Sequence, residues 1–179
     1  MAAHAEGRIW ATAVRPDVIY GPRDRQFIPR IARLLRLSVA PVIDGGNAIM
    51  AIVHAAHVAD GAVRAATTEA AGGRAYNLAN DFDVRWCEFF HLAGEGLGRR
   101  MRCLSIPHGL AGTLLSITKR TIRFVTAGGM NVVTTASLDF MSRNNPFNSD
   151  RARRELGWAP ALHPEASIPA AFRWWRDNR

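Results

Sequence analysis

Lysine, tyrosine and cysteine are nearly absent from this 179-residue chain, and each scarcity excludes something. A single lysine, Lys119, stands among 23 basic side chains, so almost all the positive charge is arginine. Tyr20 and Tyr76 are the only tyrosines, and the residues four positions after them are Asp24 and Asn80. Neither phenol therefore has a lysine one helical turn away to lower its pKa. The two cysteines, Cys87 and Cys103, are too widely spaced for a CxxC pair and too few for a disulfide framework or a clustered zinc site. They are expected as free thiols in a reducing cytoplasm. No apolar run approaches the roughly 18 residues of a membrane span, and the opening MAAHAEGRIW has no uninterrupted apolar signal core. The expectation is a cytoplasmic chain that neither enters nor binds a membrane.

What remains is ordinary for a globular protein: 48% of residues are hydrophobic, enough for one domain with a real core. The net charge of +8 raises nucleic acid as a partner, because clustered cations release counterions from phosphates. The arginines are scattered, however. The one dense stretch, Arg23, Arg25, Arg30, Arg33 and Arg36, has no interleaved aromatic ladder. It reads as a solvated helix face, and nucleic acid is not expected.

Strand and helix patterns alternate along the chain, which predicts an α/β fold. Ile9 to Val14 is an apolar run without polar alternation, suited to a strand buried on both faces and stopped at Arg15-Pro16. Asp17 to Pro22 reads as a loop closed by Gly21-Pro22, followed by a helix through Phe27, Ile28, Ile31, Leu34 and Leu35. Further strands are predicted at 39–43, 51–54, 74–78 and 101–106, with a helix over 58–66. Asp83 is expected to cap a helix through Trp86, Phe89, Phe90 and Leu97, with Gly98 as its left-handed C-cap. Gly109 to Val125 suggests a helix with mixed faces, whose Lys119, Arg120 and Arg123 also suit a membrane surface. The stretch 131–141 has no assignable pattern. A short helix over 151–156 ends at Gly157; Pro160 and Pro164 mark an extended link, and Ala170 to Trp175 is a final helix.

Four segments, in this order and spacing, carry a resemblance that none carries alone. They are Arg15-Pro16-Asp17-Val18-Ile19-Tyr20-Gly21-Pro22; Ile52-Val53-His54 with Val58-Ala59-Asp60; Gly73-Arg74-Ala75-Tyr76-Asn77-Leu78; and Glu155-Leu156-Gly157-Trp158-Ala159-Pro160 with Trp174-Trp175. Together they resemble the C-terminal portion of the extended short-chain dehydrogenase/reductase superfamily, which contains NAD-dependent epimerases and dehydratases and 3β-hydroxysteroid dehydrogenases. The resemblance implies the C-terminal part of a doubly wound Rossmann-type parallel sheet plus a small mixed substrate-binding subdomain. Residues 1–80 would hold the last Rossmann strands interleaved with substrate-binding segments, and residues 81–179 mainly the substrate-binding subdomain. NAD or NADP would serve the complete enzyme. Ligands in such sheets bind beyond the carboxyl ends of the strands. By resemblance, Pro16, Val18 and Ile19 would line the nicotinamide pocket, while Tyr20, Arg23, Phe27 and His54 would face the substrate. Binding of a metal by His54, His57 and Asp60 is not expected, because the family places the first on a strand and the others at a helix start.

Two departures bear on function. Members acting on nucleotide sugars commonly carry Arg-Asp just before the strand that leads to the histidine, the arginine pairing with a diphosphate; this chain has Met50-Ala51. That favours a less charged substrate, on the reductase and hydroxysteroid dehydrogenase side. The second is an absence: hydride transfer in the family needs a Tyr-x-x-x-Lys pair and a glycine-rich phosphate loop. The chain has no such pair, and Gly94-Glu95-Gly96-Leu97-Gly98 has the wrong spacing and reads as a frayed C-cap. No catalytic residue is expected here. The N-terminal half is expected upstream of Met1 or on a companion chain, so the partners foreseen are a small-molecule substrate and either that half or a second copy of the chain. The alternative is a non-catalytic ligand- or partner-binding module derived from the same family.

Overall fold

The computed structural model describes residues 2–110 and 140–179. Most of the segment read as a helix over 109–125, and nearly all of 131–141, lie outside the described residues. The described chain is α/β, as its alternating pattern predicts. Six strands, β1 (Ala13–Pro16), β2 (Val18–Tyr20), β3 (Val39–Ile43), β4 (Ile52–His54), β5 (Ala75–Leu78) and β6 (Arg102–Ile106), form three parallel pairs. β1 pairs with β5 from Ala13↔Ala75 to Pro16↔Leu78, and β2 with β4 from Val18↔Ile52 to Tyr20↔His54. β3 pairs with β6 from Val39↔Arg102 to Ile43↔Ile106. Parallel partners must be joined by crossovers, and α2 (Phe27–Leu34), α3 (Ala55–Thr67) and α4 (Trp86–Leu97) lie within them; α1 (Ala2–Ala5) precedes the strands, and α5 (Asp150–Leu156) and α6 (Pro164–Asp177) follow them.

Strand β4 divides the interior. Successive side chains of a strand point to opposite faces, and here Ile52 enters one core while Val53 enters the other. The larger core gathers Tyr20, Ile28, Leu35, Val42, Met50, Trp86, Phe89, Phe90 and Phe172 from β2, α2, β3, α4, α6 and the connections between them. The smaller one joins Tyr76, Leu78, Leu156 and Trp158 around α3, β5 and α5. Both cores draw on both sides of residue 80.

Several expectations need correction. The opening strand begins at Ala13 rather than Ile9, and Ile9 and Trp10 remain 57% and 47% exposed. The strand buried on both faces is β4. Asp17 to Pro22 is not all loop, since Val18–Tyr20 pairs with β4 as β2. Asp83 does not cap α4; the helix starts at Trp86 after Arg85, whose backbone N–H is accepted by Glu88. Pro164 opens α6 instead of belonging to a link, a position where a missing N–H costs nothing. The cysteines are not free: Cys87 on α4 and Cys103 on β6 are joined as a disulfide, with Cα atoms 6.0 Å apart. Spacing along the chain hid this, because β6 returns beneath α4 and brings together residues that are 16 apart.

The glycines of 94–98 are not a frayed end either. Gly98 does take the left-handed C-cap conformation at φ +69, but Gly94 and Gly96 sit buried inside α4. A Cβ at Gly96 would run into the carbonyl oxygen of Pro169 and lie 2.7 Å from Cβ of Phe172. The glycine therefore lets α4 and α6 approach backbone to backbone. Gly96→Ala tests this. Helix propensity alone would make it stabilising by about 1 kcal/mol, but backbone cannot retreat as a flexible side chain can, so a net loss of about 1–3 kcal/mol is expected. Chemical denaturation of the variant against the wild-type chain measures it.

Candidate functional site

Where β2 and β4 end side by side, a cavity of about 470 Å³ opens. It is lined by Val18, Ile19, Tyr20, Gly21, Pro22, Arg23, Asp24, Gln26, Phe27 and Ala55, so its walls are the end of β2, the following loop and the starts of α2 and α3. This is the position where parallel α/β sheets bind ligands. Ile19, 42% exposed, offers an apolar surface at its rim. Phe27 is half-buried and leans on Phe89 with ring centroids 5.8 Å apart, which joins the wall to the larger core.

The loop is fixed by one carboxylate. Asp24 accepts from the backbone N–H groups of Gln26 (2.6 Å), Phe27 (2.9 Å) and Ile28 (3.1 Å). These are the donors a helix start leaves without partners, and a negative charge there is also favoured by the helix dipole. Arg23 beside it is held at φ +69, a conformation non-glycine residues avoid at a cost of about 1–2 kcal/mol. Its side chain is exposed at the cavity.

Behind the wall lies a buried polar network. Tyr20, 2% exposed, shares a 2.8 Å hydrogen bond with the hydroxyl of Ser167 on α6. Burial holds its phenol far above the ordinary value, so it stays neutral. Asp81 accepts through one oxygen from the backbone N–H of His54 (2.8 Å) and meets Nδ1 of His57 at 2.6 Å. Nε2 of His57 accepts from the backbone N–H of Leu162 at 3.1 Å. An accepting Nε2 carries no proton, so Nδ1 holds the ring hydrogen and donates it to Asp81. The backbone carbonyl of His57 in turn accepts from Nε1 of Trp158 at 2.8 Å. His54 caps α3, its Nδ1 accepting from Ala56 N–H at 3.2 Å. Burial, and secondly the neighbouring His57, lower the pKa of His54, while Asp81 opposes them.

The sequence-predicted residues therefore divide. Val18, Ile19, Tyr20, Arg23 and Phe27 all line the cavity, though the hydroxyl of Tyr20 is buried on Ser167 rather than free. Pro16 is exposed at the end of β1 and outside the cavity lining. His54 is buried behind the wall, its ring 5.2 Å from that of Tyr20. Asp60 is turned away and pairs with Arg64 at 2.8 Å. Sequence reasoning missed Asp24, whose Asp-x-Gln-Phe context before an apolar helix face was a cap signal. It also missed Asp81, which no local pattern marks, and Asn145, which donates to Asp17 (2.6 Å) and Asn80 (2.5 Å) across the chain. Burial raises the Asp17 carboxyl above its usual range.

The lowered pKa of His54 has a consequence for stability. In the unfolded chain it takes up a proton near 6.5, in the fold only at lower pH. Between those two values only the unfolded form holds the proton, so stability is lost as pH falls below about 6.5 and levels off beneath the folded value. His54→Asn keeps an acceptor at the cap and removes the titration. The drop in Tm from about pH 7.5 to about pH 5.5 is expected to be smaller in His54→Asn than in the wild-type chain; equal drops in calorimetry would contradict it.

Residues 1–79 match the family model described as NAD dependent epimerase/dehydratase family. Among curated proteins the chain is similar to the 3beta-hydroxysteroid-dehydrogenase/decarboxylase isoform 2 of Arabidopsis thaliana, 26% identical over 179 residues, with 94% of this chain and 32% of that protein covered. It is also similar to the 4-hydroxy-2-methyl-3-oxo-4-farnesyl-3,4-dihydroquinoline-1-oxide ketoreductase of Stigmatella aurantiaca, 28% identical over 157 residues, covering 88% and 47%. The chain thus spans less than half the length of these relatives. In fold it is similar to the UDP-glucuronic acid 4-epimerase of Bacillus cereus in complex with NAD, with a TM-score of 0.66, 12% identity, and 98% of this chain against 48% of that one covered. The four sequence segments and the matches to known proteins point the same way: the chain is similar to the extended short-chain dehydrogenase/reductase superfamily, and its parallel α/β architecture is similar to that of a solved epimerase.

Proposed function

We propose that this chain is the C-terminal, substrate-facing half of an NAD(P)-dependent oxidoreductase or epimerase that acts on a secondary alcohol or ketone in the cytoplasm. The observation that carries the reading is the cavity at the carboxyl ends of β2 and β4. In this reading Val18 and Ile19, with Pro16 just before them, present an apolar edge and backbone groups to the nicotinamide. Arg23 and Phe27 meet the substrate, and Tyr20 and His54 brace the wall from inside. The substrate carries little charge. Met50, where sugar-nucleotide enzymes commonly place an arginine, is fully buried in the larger core and offers no cation. The curated relatives named above, a hydroxysteroid dehydrogenase/decarboxylase and a ketoreductase, lie on the same side.

The acid/base pair and the phosphate loop then come from a polypeptide that precedes this one in the reading frame or associates with it. Ile9, Trp10 and Ile19 are about half exposed, and each forgoes roughly 1 kcal/mol of burial, which a covering partner would recover. In mechanism, this half orients: Arg23 supplies a cation, and Ile19 keeps water from the ring face. Tyr20 takes no proton, because its buried phenol is held neutral on Ser167.

The purified chain is expected to show no change in nicotinamide absorbance with NAD(H) or NADP(H) and any alcohol or ketone. Turnover that disappears in Tyr20→Phe would overturn the proposal, since Tyr20 would then be the acid/base. An in-frame stop immediately upstream of Met1, with no companion gene encoding a glycine loop and Tyr-x-x-x-Lys, would favour the non-catalytic binding module instead.

A further inference from the structure

We propose that Cys87, His91 and Cys103 form, in the dithiol state, a binding site for a thiophilic divalent cation such as Zn²⁺, and that the disulfide is the metal-free alternative of the same three residues. Cys87 and His91 stand one turn apart on α4, a spacing that places both on one face. Cys103 reaches the same point from β6. Nε2 of His91 lies 3.9 Å from the sulfur of Cys87 and 3.8 Å from that of Cys103. The three ligand atoms all fall within 4.8 Å of one another.

These separations suit a metal. Zinc–sulfur bonds of about 2.3 Å and zinc–nitrogen bonds of about 2.0–2.1 Å at tetrahedral angles put N and S roughly 3.5 Å apart, and two sulfurs roughly 3.8 Å apart. The histidine already stands close to that separation from both cysteines. Once the S–S bond is open, rotation of the two side chains brings the sulfurs to bonding range. The backbone frame is held independently of the sulfurs by the β3–β6 pairing and by α4 packed on α6.

The donor set selects the cation. Two thiolates and one neutral imidazole favour zinc and disfavour magnesium or calcium, which require oxygen ligands. His91 is exposed and borders a second cavity of about 460 Å³ with Glu95, Arg99, Arg100 and Met101. Solvent therefore reaches His91, and a water is available as fourth ligand. The two states interconvert with balanced chemistry. A dithiol reductant gives two electrons and two protons to the disulfide and becomes a disulfide itself. Metal entry then releases one proton from each thiol to solvent, and the two thiolates neutralise the dication.

The test uses Co²⁺ as a spectroscopic probe on the full chain, reduced with a phosphine and handled without oxygen. The expected result is stoichiometric uptake with a near-ultraviolet sulfur-to-cobalt charge-transfer band and the visible bands of a tetrahedral site, all abolished by Zn²⁺. The oxidised chain and Cys103→Ser should not give that spectrum. Changes beside a metal ligand commonly cost 10–100-fold in affinity, so His91→Ala, which removes a ligand itself, should weaken binding on the order of tenfold or more. His91 is exposed, and circular dichroism checks that this variant keeps the fold. Three outcomes overturn the proposal: no charge-transfer band although thiol titration finds both cysteines reduced, affinity unchanged in His91→Ala, or loss of the fold whenever the disulfide is reduced.

Discussion

One buried carboxylate holds the centre of this molecule together. Asp81 is 4% exposed, and its oxygens accept from the backbone of His54, from the ring of His57 and from the N–H of Phe82. A buried anion is costly unless every lone pair finds a donor. Here the donors come from the end of β4, from the first turn of α3 and from the loop leaving β5, so satisfying the charge fixes those three elements against one another. The constraint propagates. With its Nδ1 on Asp81, the ring of His57 accepts from Leu162, which positions the chain entering α6, while its backbone carbonyl receives Trp158. Ser167 on α6 then meets Tyr20 on β2. The wall of the cavity is thus tied back to Asp81 from both sides.

The two cores depend on the same arrangement. Ile52 and Val53 can face different interiors only if β4 is covered on both sides, and its last residue, His54, is where Asp81 takes hold. On one side α4 and α6 close over Ile52 at the short distance that Gly96 permits. On the other, Gly61 of α3 lies so near Leu78 and Trp158 that an added Cβ would sit 2.7 Å from a methyl of Leu78. The first glycine lets two helices meet backbone to backbone, the second makes room for the side chains of Leu78 and Trp158 against α3, and the close packing leaves little freedom for β4 to shift.

Local signals made the architecture legible and left its polar centre hidden. The apolar run Val39–Ile43 is β3 to the residue, and Gly98 ends α4 in the left-handed conformation, because each was decided by neighbours in sequence. The loop motif from Val18 to Phe27 likewise reaches one cavity. Asp81, Asn145 and the Cys87–Cys103 pair were not legible, since their meaning is created by partners tens of residues away or on another element. Asp81 follows Asn80, which stands at φ 44, so the sequence there looks like any turn. The opening strand was misplaced because apolarity alone does not say whether a run is covered: Ile9 and Trp10 have strand-like character and still face outward.

The charges around the cavity bear on what it could receive. An anionic ligand is commonly held by the free N–H groups at a helix start, and two helices begin here. The N–H groups of Gln26, Phe27 and Ile28 at the start of α2 are already taken by Asp24, whose carboxylate would also repel a phosphate. The start of α3 is capped by a histidine ring that burial keeps from charging at neutral pH. Both termini are thus capped from within the chain, and Met50, sunk in the core, adds no cation. Arg23 is the one cation in the cavity lining. A single guanidinium beside Ile19 and Phe27 suits one polar group on an otherwise apolar molecule. This is the electrostatic counterpart of the alcohol or ketone substrate proposed for the complete enzyme, reached from helix caps rather than from any relative.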